Sequence, residues 1–256
     1  MKSDPVRRDI ADRLIAALKA DEFLLYAQPI KPIAAAKGRR GYQEILVRFA
    51  EEEEKLLHPG GFFPVLEEHN LMAMLDRWVV RSVLRWFKAR QNASPANGDA
   101  AYCSINLSSD SIISKGFVGF VADQLKAAGV PGERILFEIS EQDVDRYPLA
   151  LDNFILPLKP LGCGFVVTSY TGQLVSTEML QALGVNLLKI DGHIVRKIHD
   201  NPKSFAEAAA IHQACGEIGV RTIAELVETQ ATLDKLKAIG VDYAQGYGIA
   251  RPAPLK

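Results

Sequence analysis

Short apolar runs alternate with helical patterns along almost the whole chain. Eight runs are rich in β-branched and aromatic residues, as expected of strands that a parallel sheet buries on both faces. The predicted strands are 23–30, 42–49, 101–107, 134–140, 164–169, 186–191, 220–226 and 243–247. Amphipathic helices are predicted between most of these strands, for example at 75–90, 116–129 and 204–219.

This alternation predicts an α/β fold, a TIM-like (β/α)8 barrel. Such a barrel needs about 250 residues, and the chain has 256. The first two strands depart from the pattern, because the stretch 31–40 between them is too short for a helical crossover. We therefore expect that pair to be antiparallel. Five glycines just before strands are predicted to end helices, namely Gly129, Gly162, Gly184, Gly219 and Gly240.

Composition narrows the classes of function. The chain is 48% hydrophobic and 24% charged with a net charge of -1, which argues against broad capture of nucleic acid or membrane surfaces. No apolar run reaches the roughly 20 residues that span a bilayer. The charged run "EEEEK" at 51–55 is expected to be a solvated loop. Cys103, Cys163 and Cys215 lack metal or redox spacing, so we expect reduced thiols in a cytoplasmic protein.

A polar residue stands at the carboxyl end of nearly every predicted strand, where a TIM barrel builds its active site. Glu44 and Glu138 lie among apolar neighbours, where an unpaired carboxylate is costly unless a cation or Lys189 lies close. Carboxylates with an amide and a lysine indicate phosphoryl chemistry with Mg²⁺. The polar set is Gln28, Glu44, Arg48, Asn106, Glu138, Glu141, Thr168, Ser169, Lys189, Asp191, Glu225, Glu228 and Gln245.

These residues carry a resemblance to the EAL domain family, whose barrels hydrolyse cyclic di-GMP to linear pGpG. The signature tripeptide is Glu44-Ile45-Leu46. Further family motifs follow in order, as "QPI" at 28–30, "PGGFFPVLEE" at 59–68, "NLS" at 106–108, "EISE" at 138–141, "KID" at 189–191, "AELVET" at 224–229 and "DYAQGY" at 242–247. The resemblance covers about 12–254 and implies a barrel of the EAL type. We expect residues 1–256 to form one such domain of a larger multidomain signalling protein.

The sequence departs from the family pattern in "FVVTSYTGQL" at 165–174. The resemblance implies two adjacent metal-binding aspartates here, and they fall on Thr168 and Ser169. Neutral hydroxyls are poor Mg²⁺ ligands beside carboxylates, so we expect neither a two-metal site nor catalytic residues. One weakly held ion stays open. The family's other site positions are retained as Glu44, Asn106, Glu138, Lys189 and Glu225.

Without a two-metal site, the retained features favour recognition of cyclic di-GMP, with no cofactor required. Arg48 can bind a phosphate or a guanine edge, and Asp76 or Glu228 can accept from guanine N1–H and N2–H. Asp76 has an alternative role as a helix N-cap. Leu226 stands where the family's enzymes have glycine, so it narrows the pocket but offers a guanine an apolar surface. The predicted ligand-binding residues are Gln28, Leu46, Arg48, Asp76, Leu226, Glu228 and Gln245.

Three functions stay open. The stretches "LDRWVV" and "FEISEQDV", with Leu226, resemble the non-catalytic EAL receptors of the FimX type. That resemblance implies an inactive cyclic di-GMP receptor that acts through a PilZ-domain protein in type IV pilus control. The second function is a weakly active, Mg²⁺-dependent phosphodiesterase that produces pGpG, and the third is a protein-interaction domain that no longer binds nucleotide. A homodimer stays open; binding of nucleic acid and membrane insertion are not expected.

Overall fold

A computed structural model describes residues 5–34, 40–50, 56–57, 59–93 and 102–256 of the chain. The predicted loop at 51–55 lies outside these ranges. The strands are β1 (Phe23–Pro32), β2 (Tyr42–Ala50), β3 (Leu56–Leu57), β4 (Cys103–Asn106), β5 (Ile135–Ser140), β6 (Gly164–Tyr170), β7 (Leu187–Ile190), β8 (Arg221–Ala224), β9 (Tyr243–Ala244) and β10 (Ala253–Pro254).

Helices surround these strands and connect most of them. None of the described helices combines the length and apolar composition needed to span a bilayer. The helices are α1 (Pro5–Lys19), α2 (Pro59–Glu68), α3 (Met72–Ala93), α4 (Ser109–Ile113), α5 (Phe117–Ala128), α6 (Glu141–Arg146), α7 (Pro148–Leu158), α8 (Thr177–Leu183), α9 (Gly192–Lys197), α10 (Pro202–Glu217) and α11 (Gln230–Ile239).

The strands close into a barrel. β1 and β2 are antiparallel, from Phe23 opposite Phe49 to Ile30 opposite Tyr42. From β2 through β4 and on to β9, neighbouring strands run parallel. Antiparallel pairing of β1 with β9 closes the barrel, and β10 and β3 extend β1 and β2. The prediction of a (β/α)8 barrel with an antiparallel first pair is therefore confirmed.

Several predicted boundaries shift in ways that bear on the site. The strands predicted at 220–226 and 243–247 end at Ala224 and Ala244, so the polar residues after them belong to loops at the barrel mouth. The helix predicted at 75–90 begins earlier, at Met72. Asp76 therefore lies inside α3, and its alternative role as an N-cap is wrong.

The core has two layers. An outer layer packs the strands against the helices through apolar side chains such as Phe137 and Phe154, whose ring centroids lie 5.6 Å apart. The inner layer fills the barrel with Ile30, Leu136, Val166, Leu187, Ile223 and Tyr243. All three cysteines are free and buried. The five glycines predicted to end helices have the left-handed backbone, with φ between 64° and 97°.

Gly132 provides a test of this packing. It lies in a short 3₁₀ segment before β5, and a Cβ there would collide with the carbonyl oxygen of Leu161 and lie 3.1 Å from the Cys163 nitrogen. We expect Gly132→Ala to lower the free energy of unfolding by about 1–3 kcal/mol, the usual cost of overpacking. Denaturant titration measures this difference.

The matched control is Gly119→Ala in α5, where an added Cβ meets nothing within 4 Å. This change should raise the free energy of unfolding by about 0.5–1 kcal/mol, since alanine is the better helix former. Equal stability of the two variants would contradict the tight approach of residues 132 and 161.

Candidate functional site

The site is a polar layer immediately above the apolar filling of the barrel. Side chains on a strand face the same side at every second residue. Two residues along the chain from each apolar side chain that fills the barrel, the next inward-facing side chain is polar. In β1, which runs the opposite way, the polar residue comes first. The apolar and polar partners are Ile30 and Gln28, Leu136 and Glu138, Val166 and Thr168, Leu187 and Lys189, Ile223 and Glu225, and Tyr243 and Gln245.

Lys189 is the centre of this layer. Its side chain is only 1% exposed, and its Nζ donates to Glu44 Oε2 at 2.8 Å and to Glu138 Oε2 at 2.7 Å. Glu225 Oε1 lies 3.8 Å from the same nitrogen. One ammonium therefore faces three carboxyl groups from β2, β5 and the loop after β8.

Glu44 is the most heavily hydrogen-bonded of the three carboxyl groups. Its Oε1 accepts from Asn106 Nδ2 at 2.6 Å, and its Oε2 accepts from Gln245 Nε2 at 2.6 Å. Gln245 Nε2 also lies 3.2 Å from Gln28 Oε1, and Gln28 Nε2 donates to the Ala250 carbonyl at 3.1 Å. These contacts join the antiparallel first strands to the rest of the polar layer.

The three carboxyl groups differ in pKa. Burial alone would raise the pKa of Glu44, but Lys189 and the hydrogen bonds to Glu44 lower it below its usual value. Burial, with the nearby Glu44 charge, raises the pKa of Glu138 to about 7. Burial raises the pKa of Glu225 to about 7 as well. Burial would lower the pKa of Lys189, but the surrounding carboxylates raise it, so the lysine stays charged.

The residues present do not fit a pair of divalent cations. Within the described part of the chain, Glu138 Oε1 and Gln245 Oε1 are buried acceptors without a hydrogen-bond partner. However, no group of three or more His, Cys, Asp or Glu side chains in the described ranges is arranged to hold a metal ion. Thr168 is half-buried, Ser169 is exposed, and neither brings charge.

Six of the predicted ligand-binding residues line one cavity of about 370 Å³ at the barrel mouth, and Glu44 and Glu225 line it too. Arg196 and Tyr247 also line this cavity, and neither was predicted from the sequence as a site residue. Tyr247 belongs to a motif quoted above, whereas no sequence pattern singles out Arg196. The six predicted residues are Gln28, Leu46, Arg48, Leu226, Glu228 and Gln245.

Arg48 lies in the wall of this cavity, on the same face of β2 as Glu44 and Leu46. Its side chain is buried, and its guanidinium carbon lies 5.5 Å from the ring centroid of Tyr26. Nη1 donates to the Val47 carbonyl at 2.7 Å. The guanidinium is thus held in place by its neighbours while lining the cavity.

Asp76 lines a different cavity, of about 640 Å³, which also includes Asn106. Leu46 lines both cavities. Asp76 Oδ2 accepts from the Ser108 nitrogen at 2.9 Å, from Ser108 Oγ at 2.6 Å and from Ser111 Oγ at 2.7 Å. Burial nevertheless raises the pKa of Asp76 to about 6. Of the other six predicted residues, Asp76 therefore shares its cavity with Leu46 and is separated from the remaining five.

Leu226 has a left-handed backbone, with φ 53°, and its side chain is 42% exposed at the cavity. The side chain packs over Gly192 at the start of α9, where any Cβ would collide with Leu226 Cδ1. Leu226 therefore needs a glycine at 192, and Gly192 bounds the Leu226 side chain on one side.

Two of the polar strand-end residues have structural roles. Glu141 is buried and accepts from Thr171 N at 2.9 Å, Thr171 Oγ1 at 2.8 Å and the nitrogens of Leu174 and Val175, so it anchors the loop after β6. Asp191 is the N-cap of α9 and accepts from the His193 nitrogen at 2.8 Å. Neither lines the 370 Å³ cavity.

The EAL domain family matches residues 11–252. The cyclic di-GMP phosphodiesterase PdeB of Shewanella oneidensis is 33% identical over 96% of this chain, and the chain spans 28% of the length of that relative.

Solved structures that share the fold include two FimX EAL domains. The EAL domain of Xanthomonas citri FimX, in complex with c-diGMP, superposes with a TM-score of 0.87 and 26% identity, and covers 97% of this chain and 95% of that one. The FimX EAL domain of Pseudomonas aeruginosa, bound to c-di-GMP, gives a TM-score of 0.85 and 25% identity, with 96% of each chain covered.

Lys189→Met tests the central ion cluster. Removing the ammonium leaves Glu44 and Glu138 buried without a counter-charge, which typically costs about 3–5 kcal/mol of unfolding free energy. The pKa of both carboxyl groups should then rise. A carboxyl group whose pKa is higher folded than unfolded stabilises the fold below its unfolded pKa and loses this contribution as the pH rises through its folded pKa.

The loss should therefore be largest above about pH 7 and smaller near about pH 5. Denaturant titrations at both pH values measure it, with the exposed Lys197→Met as the control, expected within about 0.5 kcal/mol of the unsubstituted protein. A pH-independent loss would contradict this account of the cluster.

Proposed function

The chain belongs to the EAL domain family, and we propose that it is a receptor that binds cyclic di-GMP without hydrolysing it. The observation that carries this proposal combines two features. Thr168 and Ser169 carry hydroxyls, and six of the predicted ligand-binding residues still line one cavity. The positions that the family resemblance assigns to metal aspartates carry no charge, while Arg48 and Glu228 still line the cavity.

The charge balance of the polar layer supports the absence of turnover. A two-metal site needs several carboxylates to hold the cations and screen their mutual repulsion. Here Glu44, Glu138 and Glu225 share one ammonium, and the pKa values of Glu138 and Glu225 lie at about 7. Hydroxyls at 168 and 169 leave this layer with two carboxylates fewer than the family resemblance implies for a two-metal site.

The two adjoining cavities support a dinucleotide as the ligand. Cyclic di-GMP has two guanines and two phosphates, and cavities of about 370 and 640 Å³ meet at Leu46. Arg48 is suited to a phosphate, and carboxylates such as Glu228 and Asp76 are suited to guanine N1–H and N2–H. In this proposal Leu226 gives one guanine an apolar surface, and Gln28 and Gln245 complete the cavity wall.

The FimX likeness extends the proposal to the output. We infer that the domain, residues 1–256, is part of a larger cytoplasmic signalling protein and passes the nucleotide signal to a protein partner. A PilZ-domain protein in type IV pilus control is the partner that the FimX type suggests, and a homodimer is compatible with this role. The match to only 28% of the length of PdeB supports a larger protein.

A weak phosphodiesterase is the second candidate. It is favoured by the convergence of Glu44, Asn106, Glu138 and Lys189 in one layer and by the activity in the name of PdeB. This activity would require Mg²⁺ or Mn²⁺, and it would yield pGpG.

Hydrolysis separates the two candidates. We expect no pGpG from the purified protein with Mg²⁺ or Mn²⁺ at neutral pH, as measured by chromatography. Thr168→Asp combined with Ser169→Asp should introduce metal-dependent hydrolysis, because it restores two carboxylates, and aspartate tolerates the left-handed backbone of residue 169. Turnover by the unsubstituted protein that Glu44→Ala abolishes would establish the enzyme instead.

Binding should persist in EDTA, because the proposed contacts include no cation. In calorimetric titration Arg48→Ala should weaken binding by about 1.5–3 kcal/mol, the range for a hydrogen bond to a charged group. The matched control is Arg13→Ala, whose guanidinium also packs on an aromatic ring, at 5.3 Å from the Phe49 centroid, and which lines neither cavity. Affinity that disappears with chelator would contradict a metal-free receptor, and no binding under either condition would favour the interaction domain.

A further inference from the structure

Arg196 is a cation at the barrel mouth, and the proposed function assigns it no role. It lies in the last turn of α9 and lines the 370 Å³ cavity. Its Nη2 is 3.4 Å from Glu228 Oε1, and the two side chains are 51% and 49% exposed. An arginine and a glutamate therefore present a donor group and an acceptor group side by side at one cavity.

The local packing fixes where this pair stands. Gly192 and Arg196 are four residues apart in α9 and so lie on the same face of the helix. Leu226 packs over Gly192, which ties α9 to the loop that carries Glu228. Leu226, Arg196 and Glu228 thus border the same part of the cavity, with an apolar surface next to a charged pair.

This arrangement matches the edge of a guanine. Along its perimeter guanine presents the acceptors N7 and O6, followed by the donors N1–H and N2–H. A guanidinium beside a carboxylate offers the complementary order of donors and acceptors. Adenine has an amino group in place of O6 and an acceptor at N1, so it would present a donor to the arginine and an acceptor to the glutamate.

We propose that Arg196 and Glu228 together read one guanine of the bound dinucleotide, and that Arg196 selects guanine over adenine in this cavity. The inference rests on the proposed function, because it assumes that a cyclic dinucleotide binds here. With Arg196 on the base, the buried Arg48 is left to the phosphate.

The exposure of the pair favours a role in binding over a role in folding. A half-exposed ion pair at 3.4 Å is screened by solvent and stabilises the fold little. Moving its two side chains onto a base therefore costs little. A base between Leu226 and the pair would exclude water, and charged hydrogen bonds gain strength when solvent is excluded.

The test is calorimetric titration of the protein with cyclic di-GMP and with cyclic di-AMP. Arg196→Ala should weaken cyclic di-GMP binding about tenfold, since it removes a charged hydrogen bond, and should narrow the preference for cyclic di-GMP by a similar factor. Arg196→Lys should keep part of the affinity but lose part of the preference, because lysine cannot bind O6 and N7 with a planar fork. Thermal unfolding should be unchanged in both variants.

The matched control is Lys197→Ala, which removes the same charge from the same turn of α9 but does not line the cavity. Its affinities should equal those of the unsubstituted protein. If the unsubstituted protein binds cyclic di-GMP and Arg196→Ala leaves affinity and preference within twofold, the inference is wrong and the proposed function stands. If the unsubstituted protein binds no cyclic di-GMP, the proposed function fails, and the inference fails with it.

Discussion

The buried ammonium of Lys189 is the interaction on which the mouth of the barrel depends. It lies within 2.8 Å of Glu44 and Glu138, on strands that do not pair with β7, so it connects elements across the barrel interior. Without it, two carboxyl groups would be buried with no counter-charge, at a cost of several kcal/mol. The amides of Asn106 and Gln245 then orient Glu44, and through Gln245 the network reaches Gln28.

The same charge balance connects the unusual hydroxyl pair to the rest of the site. Aspartates at 168 and 169 would add two negative charges beside three carboxyl groups, which only strongly bound cations could compensate. With Thr168 and Ser169 those two charges are absent. Burial raises the pKa values of Glu138 and Glu225 to about 7. The smaller negative charge of this layer supports the proposal of a receptor that binds its ligand through protein contacts.

The barrel could be predicted from the sequence because apolar strand runs that alternate with helical patterns, and glycines that end helices, are local signals. The sequence also predicted most of the polar layer, since carboxyl ends of parallel strands must meet at one end of a barrel. The sequence could not decide between ligand binding and helix capping for Asp76. The boundary of α3 and the hydroxyls of Ser108 and Ser111 determine the surroundings of that side chain. The sequence also did not indicate Arg196 as a site residue, because only the fold brings it within 3.4 Å of Glu228, 32 residues away.

Backbone strain at the mouth gives a further physical reason to regard the Leu226 side chain as functional. A non-glycine residue in the left-handed region costs about 1–2 kcal/mol, and both Ser169 and Leu226 adopt it, with φ 52° and 53°. Glycine at 226 would remove that cost, yet leucine stands there half-exposed, over a Gly192 that alone leaves room for it. The fold therefore keeps the leucine, with room for it at Gly192, despite the backbone strain. Backbone strain of this kind concentrates at functional sites such as binding sites. This supports the proposed contact between Leu226 and a nucleotide base.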